Sequence, residues 1–374
     1  MLSRRHFLAT AAAGTTAAAW GLTVPSSLAF ALEPPRAPQP GGPILLNNNE
    51  NAYGPFPSAL KAAQESLSVA MRYPDRAADA LIEQIATLHK VRPEQVMLGT
   101  GSTEILRAAA EAFTGPGRKL ITAAPTFEAL GVYSERRGAP VVKVPLRSDY
   151  AHDLEAMAAR ADASTGLIYL CNPNNPTASL TPRAEIEAFL PKLPQQTIVL
   201  IDEAYHHFTI GAPGYRSFLD APVADDRVVV ARTFSKIYGM AGLRLGYGVA
   251  APQVAERLRR CQAWDNVNVV ALLVGAASLS DTVATSAAAA RNARDRQAFL
   301  AQAAARKLAA IPSFANFVML DSGRPVRRVI GHFKSAGILI GRPFPPMDTC
   351  VRVSLGLPEE MRRFWEVWDT LPRA

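Results

Sequence analysis

The runs Ile198-Val199-Leu200-Ile201-Asp202-Glu203-Ala204-Tyr205 and Val228-Val229-Val230-Ala231-Arg232-Thr233-Phe234-Ser235-Lys236 decide the fold. Each opens on four apolar residues in a row, without polar alternation. A strand buried on both faces, as in a parallel sheet covered by helices, needs that pattern; a strand wetted on one side alternates. Each run then ends on residues that can do chemistry, an acid in one and a lysine in the other. In open parallel sheets, ligands sit beyond the carboxyl ends of the strands.

The same texture extends on both sides. Val96 to Leu98, Lys119 to Ile121, Val141 to Val144 and Leu167 to Cys171 read as further strands. Thr103 to Phe113, Glu128 to Arg137 and Pro182 to Leu190 read as the helices between them. The alternation predicts an α/β doubly wound lobe with a mainly parallel sheet. After Trp264 the pattern changes. An Ala-rich helical stretch runs to Ile311. A strand (Asn316 to Leu320), a helix (Val326 to Ala336), two short strands (Ile338 to Ile340, Val351 to Val353) and a helix from Pro358 follow, predicting a smaller α+β lobe. The expected boundaries are a leader over 1–31, an arm over 32–56, a large lobe over 57–268, and a linking helix with the small lobe over 269–374.

The leader reads as an export signal. Ser3-Arg4-Arg5-His6-Phe7-Leu8 fits the twin-arginine pattern, a mild apolar stretch follows, and Ala29-Phe30-Ala31 offers small residues for cleavage. This predicts a folded, periplasmic protein that meets the membrane only in transit. The arm from Glu33 to Pro43 is Pro-rich and reads as extended. The 374 residues carry a formal net charge of +8, but Lys and Arg are scattered among acids. No basic stripe or nucleic-acid reading motif stands out, which argues against nucleic-acid binding. The three cysteines are far apart and form neither a zinc spacing nor a disulfide framework. His206 and His207 show no metal-ligand pattern, and no metal site is expected.

Polar residues gather at the expected strand ends. Gly99-Thr100-Gly101-Ser102-Thr103-Glu104 leaves a strand and opens a helix, whose N-terminus favours a phosphate. Cys171-Asn172-Pro173-Asn174-Asn175-Pro176-Thr177 follows another strand. Asp202 and Tyr205 follow a third. Thr233-Phe234-Ser235-Lys236 ends a fourth, and Arg244 stands eight residues beyond the lysine.

Taken together, these segments resemble the class I/II aminotransferases of pyridoxal-phosphate (PLP) fold type I, most closely the histidinol-phosphate aminotransferases. The resemblance runs over residues 45–372. It includes Leu46 to Pro55, Arg72-Tyr73-Pro74, Ala315-Asn316-Phe317 and Val351-Arg352-Val353-Ser354. It implies that Lys236 carries PLP as a Schiff base and later moves a proton, which requires a neutral amine. Asp202 would pair with the ring nitrogen, and Asn175 and Tyr205 would donate to the phenolic oxygen. Phe127 would stack on the ring. Ser102 and Thr103, Thr233, Ser235 and Arg244 would hold the phosphate. Tyr73 would reach the phosphate in a neighbouring subunit, implying a homodimer. Arg352 would grip the substrate carboxylate, with Tyr53 and Asn316 lining the same pocket and Arg342 adding a second anion contact.

Two positions depart from the family pattern. Ala178 stands where relatives often have glycine. If that position requires positive φ, alanine costs about 1 kcal/mol; the expectation is instead a shift of local packing. Ala52 stands where proline is common. The implied activity is transfer of an amino group between an α-amino acid and a 2-oxo acid. Decarboxylases, lyases, racemases and cyclases of the same fold, and histidinol-phosphate aminotransferase itself, remain alternatives. A regulatory PLP-binding module is disfavoured, because no DNA-binding segment fits between Ala31 and Leu45. Because histidine biosynthesis is cytoplasmic, the leader favours an amino-acid substrate held by Arg352.

Overall fold

The structure is a computed structural model and describes residues 42–372. The expected leader, and the arm up to residue 41, lie outside the described residues. Residues 44–372 belong to one compact unit.

In chain order the strands are β1 (Ile44–Leu46), β2 (Val96–Gly99), β3 (Lys119–Ala124), β4 (Val141–Pro145), β5 (Thr165–Cys171), β6 (Ile198–Asp202), β7 (Val228–Thr233), β8 (Gly246–Val249), β9 (Ala309–Ala310), β10 (Phe317–Asp321), β11 (Ile338–Ile340) and β12 (Cys350–Ser354). The helices are α1 (Pro57–Ser66), α2 (Asp75–His89), α3 (Ser102–Phe113), α4 (Ala129–Arg136), α5 (Leu154–Ala158), α6 (Arg183–Phe189), α7 (Pro252–Arg259), α8 (Val269–Ser280), α9 (Thr282–Ala305), α10 (Val326–Ser335) and α11 (Pro358–Asp369).

Seven strands form one sheet in the order β2-β8-β7-β6-β5-β3-β4. Only β8 runs antiparallel to its neighbours in that sheet. Strand β8 has no apolar run, because Gly246 and Gly248 alternate with Tyr247 and Val249. A side chain at Gly246 would collide with the Ser102 backbone nitrogen, so α3 packs directly on the strand. Close approach of two backbones, rather than side-chain burial, sets this part of the sequence.

The apolar runs are buried on both faces, as expected. Side chains alternate along a strand. Leu167, Tyr169, Leu200 and Val229 join the core on the α3 side, while Ile168, Leu170, Val199 and Val230 join the opposite core with α8. The same alternation carries Asp202, Cys171 and Thr233 to the α3 side. It sends Arg232 to the other face, where it meets Glu203 at 3.0 Å. This buried pair also receives the Ser217 hydroxyl and the Phe218 N–H on Glu203, pinning the 203–218 loop behind the sheet.

The small lobe contains the sheet β12-β10-β9 and the parallel pair β1-β11. Its core is built on Phe299, Phe333, Phe364, Trp365 and Trp368, whose rings lie in edge, tilted and stacked contacts. Such pairs each add about 0.5–1.5 kcal/mol beyond burial.

The expected lobe boundary shifts in two places. The Ala-rich stretch is two helices, α8 and α9, which meet at a bend of 79°. Leu272 and Val274 of α8 are buried in the core of the large lobe, so packing assigns α8 to that lobe. Conversely, β1 pairs with β11, and Leu46 joins the small-lobe core, so the arm beyond residue 43 is structural. Ala178 also departs from expectation: it is fully buried at φ +57, so the strained left-handed backbone is adopted without glycine. Its N–H reaches the Asn174 carbonyl at 2.8 Å, and its own carbonyl accepts from Phe314, which holds it there.

Candidate active site

The ends of β5, β6 and β7 open into a cavity of about 440 Å³. Strand register sets its floor: Cys171 is level with Asp202, and Asp202 with Ala231. One row further over, Thr233, Gly246 and Gly99 stand side by side on β7, β8 and β2. Lys236 projects into the cavity just past β7.

Asp202 is buried, and burial pushes its carboxyl up to about 6. Two donors oppose that rise, the Tyr169 hydroxyl at 2.9 Å and the Ala204 N–H at 3.1 Å. They leave an acidic group that a cation placed in the cavity would hold ionised. Burial, then the charge of Arg352, lowers the Lys236 amine to about 8. Its Nζ donates to the carbonyls of Asn49 at 3.0 Å and Asn48 at 3.4 Å. Burial also raises the Tyr205 phenol, which therefore remains a neutral donor at ordinary pH.

Arg352 lies in the middle of β12 and reaches across from the small lobe. Its Nη1 donates to Asn175 Oδ1 at 2.6 Å and its Nη2 to the Asn47 carbonyl at 2.6 Å. Phe344 packs 4.7 Å from the guanidinium. Burial lowers this arginine to about 10, so it stays charged at neutral pH. Its Nε is buried without a partner. Because Arg352 takes the oxygen of Asn175, the Asn175 amide nitrogen is left as the donor.

The floor beside β8 has the form of an anion cradle. Ser102 and Thr103 open α3, so their N–H groups are among those the helix leaves unbonded. Thr233 Oγ1 lies 3.0 Å from Ser235 Oγ, and Arg244 Nη1 lies 3.5 Å from that same hydroxyl. A Cβ at Gly101, which has φ +73, would collide with Arg244 Nη2. The cradle thus exists because glycine lets the guanidinium lie against the backbone. A carboxylate-tuned floor, a low-pKa amine and a cationic cradle are the donor set that a pyridine aldehyde phosphate requires.

The cavity brings together Lys236, Asp202, Tyr205, Asn175, Phe127, Ser102, Thr103, Thr233, Ser235, Arg244, Arg352 and Arg342. Arg342 is half-exposed at the rim, stacked on Phe344 and paired with Glu128 at 2.6 Å. Tyr53 and Asn316 do not line this cavity, contrary to expectation. The Tyr53 hydroxyl donates to Asp295 at 3.0 Å under the Arg291 guanidinium, and Asn316 donates to the Asn49 and Glu50 carbonyls. Both are committed to holding the arm in place. Tyr73 is 82% exposed and does not line the cavity of its own chain. The His206 and His207 rings lie against each other at a tilt of 47°, with His207 against Tyr238, and burial keeps both neutral.

Sequence reasoning placed Asn49 and Phe344 in loops near the pocket without singling either out, and read Cys171 as a core residue; all three line the cavity. Cys171 was legible by parity, two residues past Tyr169 on the Asp202 side. Asn49 carries the faint signal of a short polar residue at φ +55, a conformation asparagine tolerates.

The lowered amine sets a pH dependence. A lysine reacts with an aldehyde only when neutral, and the folded protein reaches that form near pH 8 rather than near the ordinary 10.5. Uptake of pyridoxal phosphate by the apoprotein should accelerate with a midpoint near pH 8. Asp202→Asn removes a charge that favours the ammonium, so it should move the midpoint lower. A wild-type midpoint above 10 in stopped-flow absorbance would contradict the burial argument.

The chain is similar in sequence and fold to known proteins. Residues 42–367 match the family described as aminotransferase class I and II. The chain is 38% identical to a histidinol-phosphate aminotransferase of Symbiobacterium thermophilum, covering 86% of this chain and 89% of that one. It is also 38% identical to an aromatic amino acid aminotransferase of Rhodococcus jostii, covering 86% and 88%. The crystal structure of histidinol-phosphate aminotransferase from Sinorhizobium meliloti in complex with pyridoxal-5'-phosphate superposes with a TM-score of 0.81 at 27% identity, covering 88% of this chain and 92% of that one. Fold, donor set and sequence agree, and the chain belongs to the class I and II aminotransferase family, whose cofactor here is pyridoxal phosphate.

Proposed function

We propose that the protein transfers an amino group between an α-amino acid and a 2-oxo acid, with Arg352 as the grip on the substrate carboxylate. One observation carries this reading. The Lys236 amine, the Asp202 carboxylate and the Arg352 guanidinium converge on one cavity, with Asn175 and Tyr205 between them. When bound, pyridoxal phosphate supplies a sink for the negative charge that develops at the substrate Cα.

The remaining chemistry belongs to the chain. Lys236 would hold the cofactor through its amine and would be the group to carry the proton from Cα. Asp202 would keep the ring nitrogen protonated. Asn175 and Tyr205 would donate to the phenolic oxygen, and Phe127 would cover the ring. The first-turn N–H groups of Ser102 and Thr103, the hydroxyls of Thr233 and Ser235, and Arg244 hold the phosphate. Arg352 meets a carboxylate with a planar fork, orienting Cα–H for removal and excluding simple amines. Glu128 already engages Arg342, which weakens the rim as a second anion site.

Equal identity to a histidinol-phosphate and an aromatic amino acid aminotransferase leaves the side chain to be decided by experiment. Histidinol phosphate is the second reading, because relatives of that name match over most of the chain. A half-reaction screen separates the two. Amino acids added singly should bleach the visible band of the holoenzyme, and Arg352→Lys should raise the half-saturating concentration by about 10-fold to 100-fold. Turnover of histidinol phosphate with no response to any α-amino acid would refute the amino-acid reading. Carbon dioxide release without a 2-oxo acid would point to other chemistry at Cα.

The active unit is proposed to be a homodimer, with Tyr73 crossing to the neighbouring phosphate. Its support is an exposed apolar stretch that includes Leu67, Met71 and Tyr73. A mixture of Tyr73→Phe and Lys236→Ala proteins, refolded together, should regain activity above either alone, because one site of each hybrid is intact. No gain in mixtures shown to exchange subunits would remove Tyr73 from the site.

The protein is further proposed to be exported folded to the periplasm by the twin-arginine route, on the strength of residues 3–8 and 29–31. Replacing Arg4 and Arg5 together by Lys should leave the protein in the cytoplasmic fraction. Unchanged fractionation in that variant would refute this export route.

A further inference from the structure

The arm crosses the cavity at Asn49, which is 1% exposed and sits at φ +55. Every polar group of this residue is engaged. Its N–H donates to Ser354 Oγ at 2.8 Å, and that hydroxyl donates to Asn49 Oδ1 at 3.3 Å. Its carbonyl accepts from Lys236 Nζ at 3.0 Å and from Asn316 Nδ2 at 3.1 Å. Its Nδ2 donates to the Tyr205 oxygen at 3.1 Å.

A phenol has one proton to give and lone pairs to accept with. Ser354 fixes the amide of Asn49 by giving its proton to Oδ1, so the amide nitrogen faces Tyr205. That nitrogen cannot accept, and the tyrosine proton must point elsewhere. Among the described residues Tyr205 makes no other side-chain hydrogen bond, and the residue lines the cavity. Ser354 also lies two residues beyond Arg352 on β12, so the two side chains leave the strand on the same face.

We propose that Asn49 is a positioning residue: it turns the only proton of Tyr205 into the cavity, toward the phenolic oxygen of the cofactor, and through Ser354 ties that orientation to the strand carrying Arg352. The inference rests on the reading that Lys236 holds pyridoxal phosphate. If Tyr205 is free to rotate, it supports the negative phenolic oxygen less well. That oxygen then holds the proton of the Lys236–cofactor linkage more tightly, and the linkage loses it at higher pH.

The test reads the visible absorbance of the resting holoenzyme against pH. Asn49→Gly keeps the left-handed backbone and removes only the amide, whereas Asn49→Ala adds backbone strain, so Asn49→Gly is the variant to compare. Its midpoint should rise by about half to one pH unit, the size expected for one neutral hydrogen bond. Ser354→Ala should shift it in the same direction by less. Tyr205→Phe should raise it further, and the double variant Asn49→Gly/Tyr205→Phe should match Tyr205→Phe alone. An unchanged midpoint in Asn49→Gly, or a shift that adds to that of Tyr205→Phe, would overturn the proposal. A visible band that persists in Lys236→Ala would overturn the cofactor reading and this inference with it. The two failures are therefore told apart by which variant departs.

Discussion

A partly buried lysine amine that shares one cavity with an arginine and an aspartate constrains the rest of the molecule. Burial and Arg352 press the amine toward its neutral form, and Glu50 and then Asp202 press it back. The balance holds only if these charges keep their places, and they come from different parts of the chain. Asp202 ends β6 and Lys236 follows the neighbouring β7 of the same sheet. Arg352 belongs to a separate small sheet. The fold can therefore be viewed as the means of holding β12 over the ends of β6 and β7.

The arm provides much of that means. It adds β1 to the small lobe through β11, passes across the cavity at Asn47 to Glu50, and enters the large lobe at α1. Along the way its carbonyls accept from Arg352, Lys236 and Asn316. Tyr53 closes the far end against Asp295 and Arg291. Segments without regular structure inside a protein must satisfy their backbone groups individually. Here the groups that satisfy them include the working residues themselves, so a change in the arm is felt at the site without touching a ligand.

Much of this architecture was legible in the sequence, for an identifiable reason. The strands of the parallel sheet are buried on both faces, and continuous runs such as Val228 to Val230 can be read without knowing their neighbours. Polar residues at their ends identified Asp202, Thr233 and Lys236. What was not legible depends on partners far along the chain. Strand β8 is set by the approach of α3, which appears only as two glycines. Helix α8 looks like the start of the small lobe by composition, and only packing assigns it to the large one. Tyr53 and Asn316 carry the right chemistry for a substrate pocket, but the arm claims both. Ala178 adopts a backbone usually left to glycine because its N–H and carbonyl are both held by partners in the fold.

The central claim is that Lys236 and no other lysine bears the cofactor. Borohydride reduction of the purified holoenzyme, followed by proteolysis and mass spectrometry, tests it directly. A single phosphopyridoxyl adduct is predicted, on the peptide containing Thr233-Phe234-Ser235-Lys236. An adduct on a different lysine, with this peptide unmodified, would contradict it.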